Sequence, residues 1–376
     1  MKVLAARNKV PVQLRDASLG DYAQVAELES RHGLATKNRE EWEHLWANNP
    51  VYRQYSNSWP IGWVLEDSNR KIVGYLGNIP FSYEFEGKEL LAAITRAWVV
   101  DLAYRGYSML LLDYFFSQEN VDLYLTTTLN GNAFEGFKSF APLPVPSGDW
   151  DRSSFWITNP AGFLESALTT KEIPFARLLS YPLSALSSMR DRFTHGGIAN
   201  SRKRIDIQFC SAFDERFDSF WKELRKRRTR VLLGKRTREV LDWHFRYALL
   251  RNEAWIFYIS EGSRLLAYSI FYRQDNTKYG LKRMRLGDFQ TVADDELLLL
   301  PMLSCALERC RRAGIHMLEI LGVSQERAQV LAKSGPHGRK LPSWSSFYKT
   351  NNPELTASLR DPKCWDLSCF DGDSSL

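Results

Sequence analysis

The chain has 376 residues, 44% hydrophobic and 13% aromatic, with a formal charge of +6. That composition excludes a disordered or fibrous chain and supplies enough apolar material for two domains. No apolar run approaches the roughly 20 residues that span a bilayer, and MKVLAARNKVPVQ lacks the apolar stretch of a secretion signal, so the expected address is the cytoplasm.

The first element reads as a strand and helix. In VPVQLRDASLGDYAQVAELESRHG (residues 10–33) polar and apolar residues alternate, the chain turns at Asp16 and Ser18, and Tyr22, Val25 and Leu28 recur at helical spacing. REEWEHLWANNP, from Arg39, opens a Trp-bearing helix. PIGWVLEDSNRKIVGYLGNIPFSYEFEGKEL then reads as strand, polar hairpin turn, strand, loop and strand. ITRAWVV predicts a further strand, the segment from Ser108 a helix, and VDLYLTTT another strand. A βαβ crossover joined to an antiparallel meander makes a mixed sheet.

Residues 146–200 begin with PVPSGDW, contain helix-like GFLESALTTKEIPFARLL and SALSSMRDRF, and read as a helical connector. After it the pattern starts again. RIDIQFCSAFDERFDSFWKELRKR repeats strand, turn and helix, with Gln208 where Gln13 stood. REVLDWHFRYAL at Arg238 echoes REEWEHLWANNP, and NEAWIFYISEGSRLLAYSIFYRQDNTKYGLK echoes the first meander, pairing Trp63 with Trp255 and Tyr75 with Tyr268. RMRLGDFQTV, a helix around Leu299 to Arg312, and HMLEILGV close the second copy. Offsets that drift by only a few positions are what unequal loops produce, so the chain reads as a tandem duplication: residues 1–145, a connector 146–200, a second copy 201–350 and a tail 351–376.

Charge and cysteines add two limits. Arg225, Lys226, Arg227, Arg228, Arg230, Lys235, Arg236 and Arg238 form one basic stretch without an acid, while the rest of the chain is close to neutral. It suits a solvated helix end or an acidic partner, and no nucleic-acid motif accompanies it, so DNA is not expected. Cys210, Cys305, Cys310, Cys364 and Cys369 form no CxxC pair and have no histidine at ligand spacing, which points to reduced, mostly packed thiols and no metal.

The order strand, helix, meander, then a strand ending in YRGYSMLLL and another ending in TTLNGNAF resembles the GCN5-related N-acetyltransferase (GNAT) superfamily. The tandem layout is also similar to the double-GNAT and FemAB-type acyltransferases of bacteria. The resemblance implies an α/β fold of two GNAT-like domains. In that family a loop of pattern Arg/Gln-x-x-Gly-x-Gly/Ala after the fourth strand binds the pyrophosphate of acyl-CoA, because a helix N-terminus offers unpaired N–H groups and a positive dipole end. Here Arg105 takes the first position, followed by Gly106, Tyr107, Ser108 and Met109. Ser108 and Leu110 stand where the pattern has small residues. Asn130, followed by Ala133, matches the cofactor-touching asparagine after the fifth strand. Phe137 stands where many members carry the tyrosine that protonates the leaving thiolate.

The second copy's equivalent loop runs into Asp294, Asp295 and Glu296, carboxylates that suit a helix dipole and repel a pyrophosphate. Acyl-CoA is therefore expected on the first copy, with the second a substrate-side partner or scaffold. The resemblance implies attack of an amine on the thioester, with a backbone N–H near Val99 or Val100 receiving the oxyanion. Asp101 is the first candidate base, with Glu84 and Glu86 in reserve. His44 and His244, in matching helices, read as packing or cleft-wall residues. Trp42, Trp46 and Trp243 are candidate walls of an acceptor cleft, and Arg238 a grip for an acidic acceptor. The expected activity is N-acyl transfer, with N-acetyl transfer the first expectation, from acetyl-CoA or another acyl-CoA to an amine of a small molecule or a cell-envelope or polysaccharide precursor. The alternatives are a non-catalytic binding protein and FemAB-like aminoacyl transfer from tRNA, which the basic stretch would serve.

Overall fold

A computed structural model describes residues 12–56, 58–129, 131–146, 150–170, 205–341 and 345–376. Its first half runs β1 (Val12–Asp16), α1 (Tyr22–Arg31), α2 (Arg39–Ala47), α3 (Pro50–Tyr55), β2 (Gly62–Asp67), β3 (Ile72–Phe85), β4 (Lys88–Val100), α4 (Ser108–Phe116), β5 (Leu123–Leu129), α5 (Gly131–Lys138) and β6 (Leu143–Pro144). Caps set the helix starts: the Asn38 side chain accepts from Glu41 N–H at the head of α2, and Asn49 accepts from Val51 and Tyr52 ahead of α3, with Pro50 in its first turn. Thirteen of the 14 residues of β3 are buried, as expected of a strand covered on both faces.

The second half runs β7 (Arg152–Ile157), α6 (Pro160–Thr170), β8 (Gln208–Cys210), a helix Glu215–Arg227, β9 (Leu233–Gly234), a helix Arg238–Leu250, β10 (Ala254–Glu261), β11 (Arg264–Arg273), β12 (Arg283–Thr291), a helix Leu299–Arg312, β13 (Met317–Leu321), a helix Gln325–Ala332, β14 (His337–Lys340), β15 (Ser345–Lys349) and a helix Pro353–Ser358. The two sheets have the same plan. One is ordered β1-β2-β3-β4-β5-β15-β6 and the other β8-β10-β11-β12-β13-β7-β14.

Their sixth places are exchanged. β15, late in the chain, lies between β5 and β6 of the first sheet, and β7, which follows the first half, lies between β13 and β14 of the second. Two expected boundaries shift accordingly. Residues 152–157, read as part of a helical connector, form a strand, and residues 345–349, read as part of the second copy, belong to the first sheet. Local pattern identifies a strand but not the edge that accepts its hydrogen bonds. The connector segment from Lys171 to Arg204 lies outside the described residues.

One apolar cluster spans the halves, with Trp42, Trp46 and Phe81 from the first, Trp243 and Phe245 from the second, and Phe370 from the tail. Phe81 meets Trp243 edge to face at 5.7 Å. Truncating a buried aromatic of this size costs about 3–5 kcal/mol, so this seam holds the halves together. Among the described residues no helix is long and apolar enough to cross a membrane.

Candidate active site

β4 and β5 pair in parallel only from Ala92–Ile94 to Leu123–Leu125. Beyond that the strands part, and a hydrogen bond from Thr95 Oγ1 to Thr126 Oγ1 (3.1 Å) marks the fork. The edge of β4 is shaped by a bulge: the β3–β4 register slips between Tyr75 and Gly77, and Ala97 takes φ 54°. Asp101 N–H donates to the Val73 carbonyl at 2.8 Å. Successive strand amides face opposite edges, so the Val100 N–H turns toward the fork.

A cavity of about 1050 Å³ fills this fork. It runs from Arg105 and Ser108, at the head of α4, past Trp98, Val99 and Val100 to Lys37 on the α1–α2 loop and to Asp373 in the tail. Ser108 is the first residue of α4, and its hydroxyl donates to the Arg105 carbonyl at 2.8 Å rather than capping the helix. Leu110 is 41% exposed and does not line the cavity, so it leaves the fork open. Neither Gly106, Tyr107 nor Met109 lines it; they build the turn and first turn of α4. Asn130 lies outside the described residues.

Trp98 forms the wall toward α5. Its ring meets Phe137 edge to face at 5.4 Å, and a Cβ on Gly136 would lie 2.6 Å from its Cη2. Gly136 is therefore what lets the indole sit flat on the helix. The Trp98 Nε1 is buried without a hydrogen-bond partner among the described residues. Phe137 borders the cavity and carries no proton to give.

The candidate bases fall elsewhere. The Asp101 carboxylate accepts from Arg31 Nη2 (3.0 Å) and lies 3.1 Å from His32 Nε2, outside the cavity lining. Glu84 pairs with Arg225 at 3.0 Å, and Glu86, with φ 51°, makes the β3–β4 hairpin turn. The acids that line the cavity are Glu29, Glu41, Glu135 and Asp373. Glu41 is held by Arg251, and Glu135 by Lys138 at 2.7 Å. Glu29 Oε1 accepts from Arg96 Nη1 at 2.6 Å, a buried pair joining α1 to β4 one residue before the bulge. Asp373 accepts from Thr128 Oγ1 at 3.1 Å; burial pushes its carboxyl up, against the pull of Arg96. Burial, and then Arg96 and Arg251, bring the Lys37 ammonium down to about 8.

Sequence reading missed Glu29, Arg96 and Lys37. A signal existed for two of them: Glu29 follows Val25 at helical spacing and so falls on the buried stripe of α1, and Arg96 interrupts an apolar strand. The proposed cleft walls are core instead. Trp42 and Trp46 pack at 4.9 Å, Trp243 is buried in the seam between the halves, and Arg238 faces Asp218 at 3.8 Å; none lines the cavity.

In the second half the chain's own side chains engage the residue beside the corresponding bulge. β12 and β13 pair only from Arg283–Arg285 to Met317–Glu319, and Gly287 sits at the bulge. Beside it the fully buried Arg236 binds Asp288 (2.8 Å) and Asp371 (3.0 Å) and lies 4.5 Å over the Phe370 ring. Ser368 Oγ donates to Asp288 at 3.1 Å, and Tyr268 Oη donates to the same carboxylate at 2.8 Å. The acidic helix entry is also engaged: Asp294 pairs with Arg228, Asp295 caps Leu297 N–H, and Glu296 pairs with Arg327.

The basic stretch is largely neutralised. Arg225, Arg227, Arg228, Lys235, Arg236 and Arg238 all face carboxylates, those of Glu84, Glu223, Asp366, Glu89, Asp288 and Asp218. Among the described residues no group of three or more His, Cys, Asp and Glu side chains is placed to hold a metal ion.

No family model and no curated protein matches the chain. Solved structures do. N-myristoyltransferase of Saccharomyces cerevisiae with bound myristoyl-CoA superposes with a TM-score of 0.58 at 12% identity, over 92% of this chain and 81% of that one. A GCN5-related N-acetyltransferase from Anabaena variabilis gives 0.56 at 12% identity, over 91% and 73%. A probable N-acyltransferase from Enterococcus faecalis gives 0.56 at 9%, over 90% and 73%. At such identities the likeness establishes the fold, which is the GNAT fold in two mixed sheets.

Proposed function

We propose that the chain is an acyl-CoA-dependent N-acyltransferase whose chemistry is confined to the first half. The carrying observation is the contrast between the halves: the first fork opens into a cavity that reaches the head of α4, while beside the second bulge Asp288 is engaged by Arg236 and Ser368, with Phe370 against the guanidinium. The structural neighbours, one of them with bound myristoyl-CoA, support the same reading.

In this reading the turn Arg105–Met109 and the free amides of α4 hold the pyrophosphate, joined by Asn130 as the GNAT resemblance implies. The Val100 N–H, aimed into the fork, stabilises the oxyanion without needing to move. Trp98 Nε1, a buried donor with no partner among the described residues, fits a carbonyl-bearing ligand arm. Asp101 is occupied by Arg31 and His32, so its part is to position that corner. The proton is taken by a carboxylate of the cavity. Phe137 supplies no acid, which a thiolate leaving group tolerates near neutral pH.

The absent acid also favours a second reading, a binding protein that holds acyl-CoA without turnover. The tRNA-dependent alternative loses its support, since the basic stretch faces the chain's own carboxylates. Thermal shift with acetyl-CoA, beside desulfo- and dephospho-analogues, tests binding: a shift that grows with ligand concentration is expected. Ser108→Asp places a carboxylate at the head of α4 and should erase it. An unchanged shift in that variant would refute the placement, and binding without thiol release with any amine would favour the second reading.

A further inference from the structure

We propose that the acceptor is a small zwitterion of amino-acid type, its ammonium received by Glu29 Oε2 and its acid group by Lys37. The inference rests on the acyl-transfer reading of the cavity and adds the class of acceptor.

Glu29 is 1% exposed and lines the cavity. One oxygen is used by Arg96; the other, Oε2, is buried and has no hydrogen-bond partner among the described residues. A buried carboxylate oxygen without a donor is costly, and polar groups in such places are almost always matched. An ammonium carries three donors and matches it. The position is productive, because the Glu29–Arg96 pair sits one residue before the Ala97 bulge, and four before Val100, whose N–H faces the fork.

Lys37 is the complementary case. It lines the same cavity, and no carboxylate stands within ion-pair distance of it among the described residues; Glu29 and Asp373 act on it only from further off. An arriving acid group would supply the missing counter-ion. The charge balance points the same way. Glu41 and Glu135 are taken by Arg251 and Lys138, and Arg105, at the head of α4, serves the pyrophosphate in the proposed reading, which leaves the side chains of Glu29 and Asp373 against those of Arg96 and Lys37. At the acceptor end these two acids and two bases balance, which a monocation or a dianion would upset and a zwitterion leaves intact.

The step balances without a further reactant. The ammonium first loses one proton to solvent. The neutral amine then attacks the thioester carbon, the C–N bond forms and the C–S electron pair leaves on sulfur. The second nitrogen proton passes to a cavity carboxylate and on to the thiolate, giving an amide and a free thiol.

Thiol release by the full chain with acetyl-CoA tests the proposal against a panel of free amino acids, their methyl esters and the matching decarboxylated amines. Free amino acids should exceed their esters in kcat/KM by at least about tenfold, since a site built to bind a group rejects analogues that lack it. In Lys37→Met, which keeps the aliphatic stem, that ratio should collapse toward one. Esters or plain amines that serve as well as the zwitterions would overturn the proposal while leaving acyl transfer standing. Absence of turnover with every amine, in a chain that still binds acetyl-CoA, would overturn the acyl-transfer reading and this inference with it.

Discussion

His44 and Trp243 exchange hydrogen bonds across the seam between the halves. His44 Nε2 donates to the Trp243 carbonyl at 2.9 Å, and Trp243 Nε1 donates to the His44 carbonyl at 3.0 Å. They hold the same position in REEWEHLWANNP and REVLDWHFRYAL, so the local two-fold relation passes between them. Asn48 Nδ2 donates to His44 Nδ1 at 3.1 Å, fixing the neutral tautomer. Trp243→Phe keeps an aromatic ring but leaves the His44 carbonyl without a donor. The expected loss is about 1–3 kcal/mol, read from urea unfolding that remains a single transition; two separate transitions in the parent chain would show that the seam does not couple the halves.

Acid should weaken the same seam. Burial lowers the pKa of His44, and that of fully buried His244 far more, with Arg236 adding to the effect. The folded state therefore binds fewer protons than the unfolded one as pH falls through the ordinary histidine range, and stability present above about pH 6.5 is lost below it. Asp371, which burial raises to about 6, acts with the opposite sign between about pH 4 and 6. Comparison of urea midpoints at pH 7.5 and 5.5 for the parent and His244→Gln isolates the histidine contribution: the drop should be smaller in the variant. An equal drop would assign the acid sensitivity elsewhere.

The exchanged strands make each half incomplete. Phe347 on β15 is buried in the first sheet and stacks on Phe134 at 4.7 Å. Phe347→Ala should cost about 3–5 kcal/mol and lower the stability of the first half, visible as faster hydrogen exchange in β5. Residues 12–146 produced alone should aggregate through the bare edge of β5; a soluble, protected fragment would contradict this.

Gly136→Ala tests the wall of the cavity. The new Cβ would crowd Trp98, and the indole it displaces lines the cavity. Affinity for acetyl-CoA should fall by at least about tenfold while the fold persists, as expected when a pocket wall enters a ligand's space. Calorimetric titration beside a melting curve separates the two effects, and full affinity in a folded variant would place the ligand away from Trp98.

The element order was legible because each strand and helix carries its own period, and the repeat could be followed through landmarks such as Trp63 and Trp255. Where Ser345–Lys349 and Arg152–Ile157 insert was not, since any strand can complete any free edge and nothing in SSFYK names β5. The head of α4 was readable from Arg105 to Ser108 because a turn and a helix start are local. Asp101, Glu84 and Glu86 were favoured as carboxylates near the right strand, yet the geometry spends Asp101 on Arg31 and Glu84 on Arg225 and turns Glu86 into a hairpin corner. Glu29, Lys37 and Asp373 converge from a helix, a loop and the far end of the chain, a meeting that no local spacing encodes.

β15 has a bearing on biosynthesis. During translation the hydrogen-bonding edge of Leu123–Leu129 emerges long before its partner Ser345–Lys349. Contacts of such sequence separation form slowly, and an exposed edge invites wrong pairing meanwhile. The nascent first sheet must therefore wait, shielded or chaperoned, until synthesis has passed Lys349.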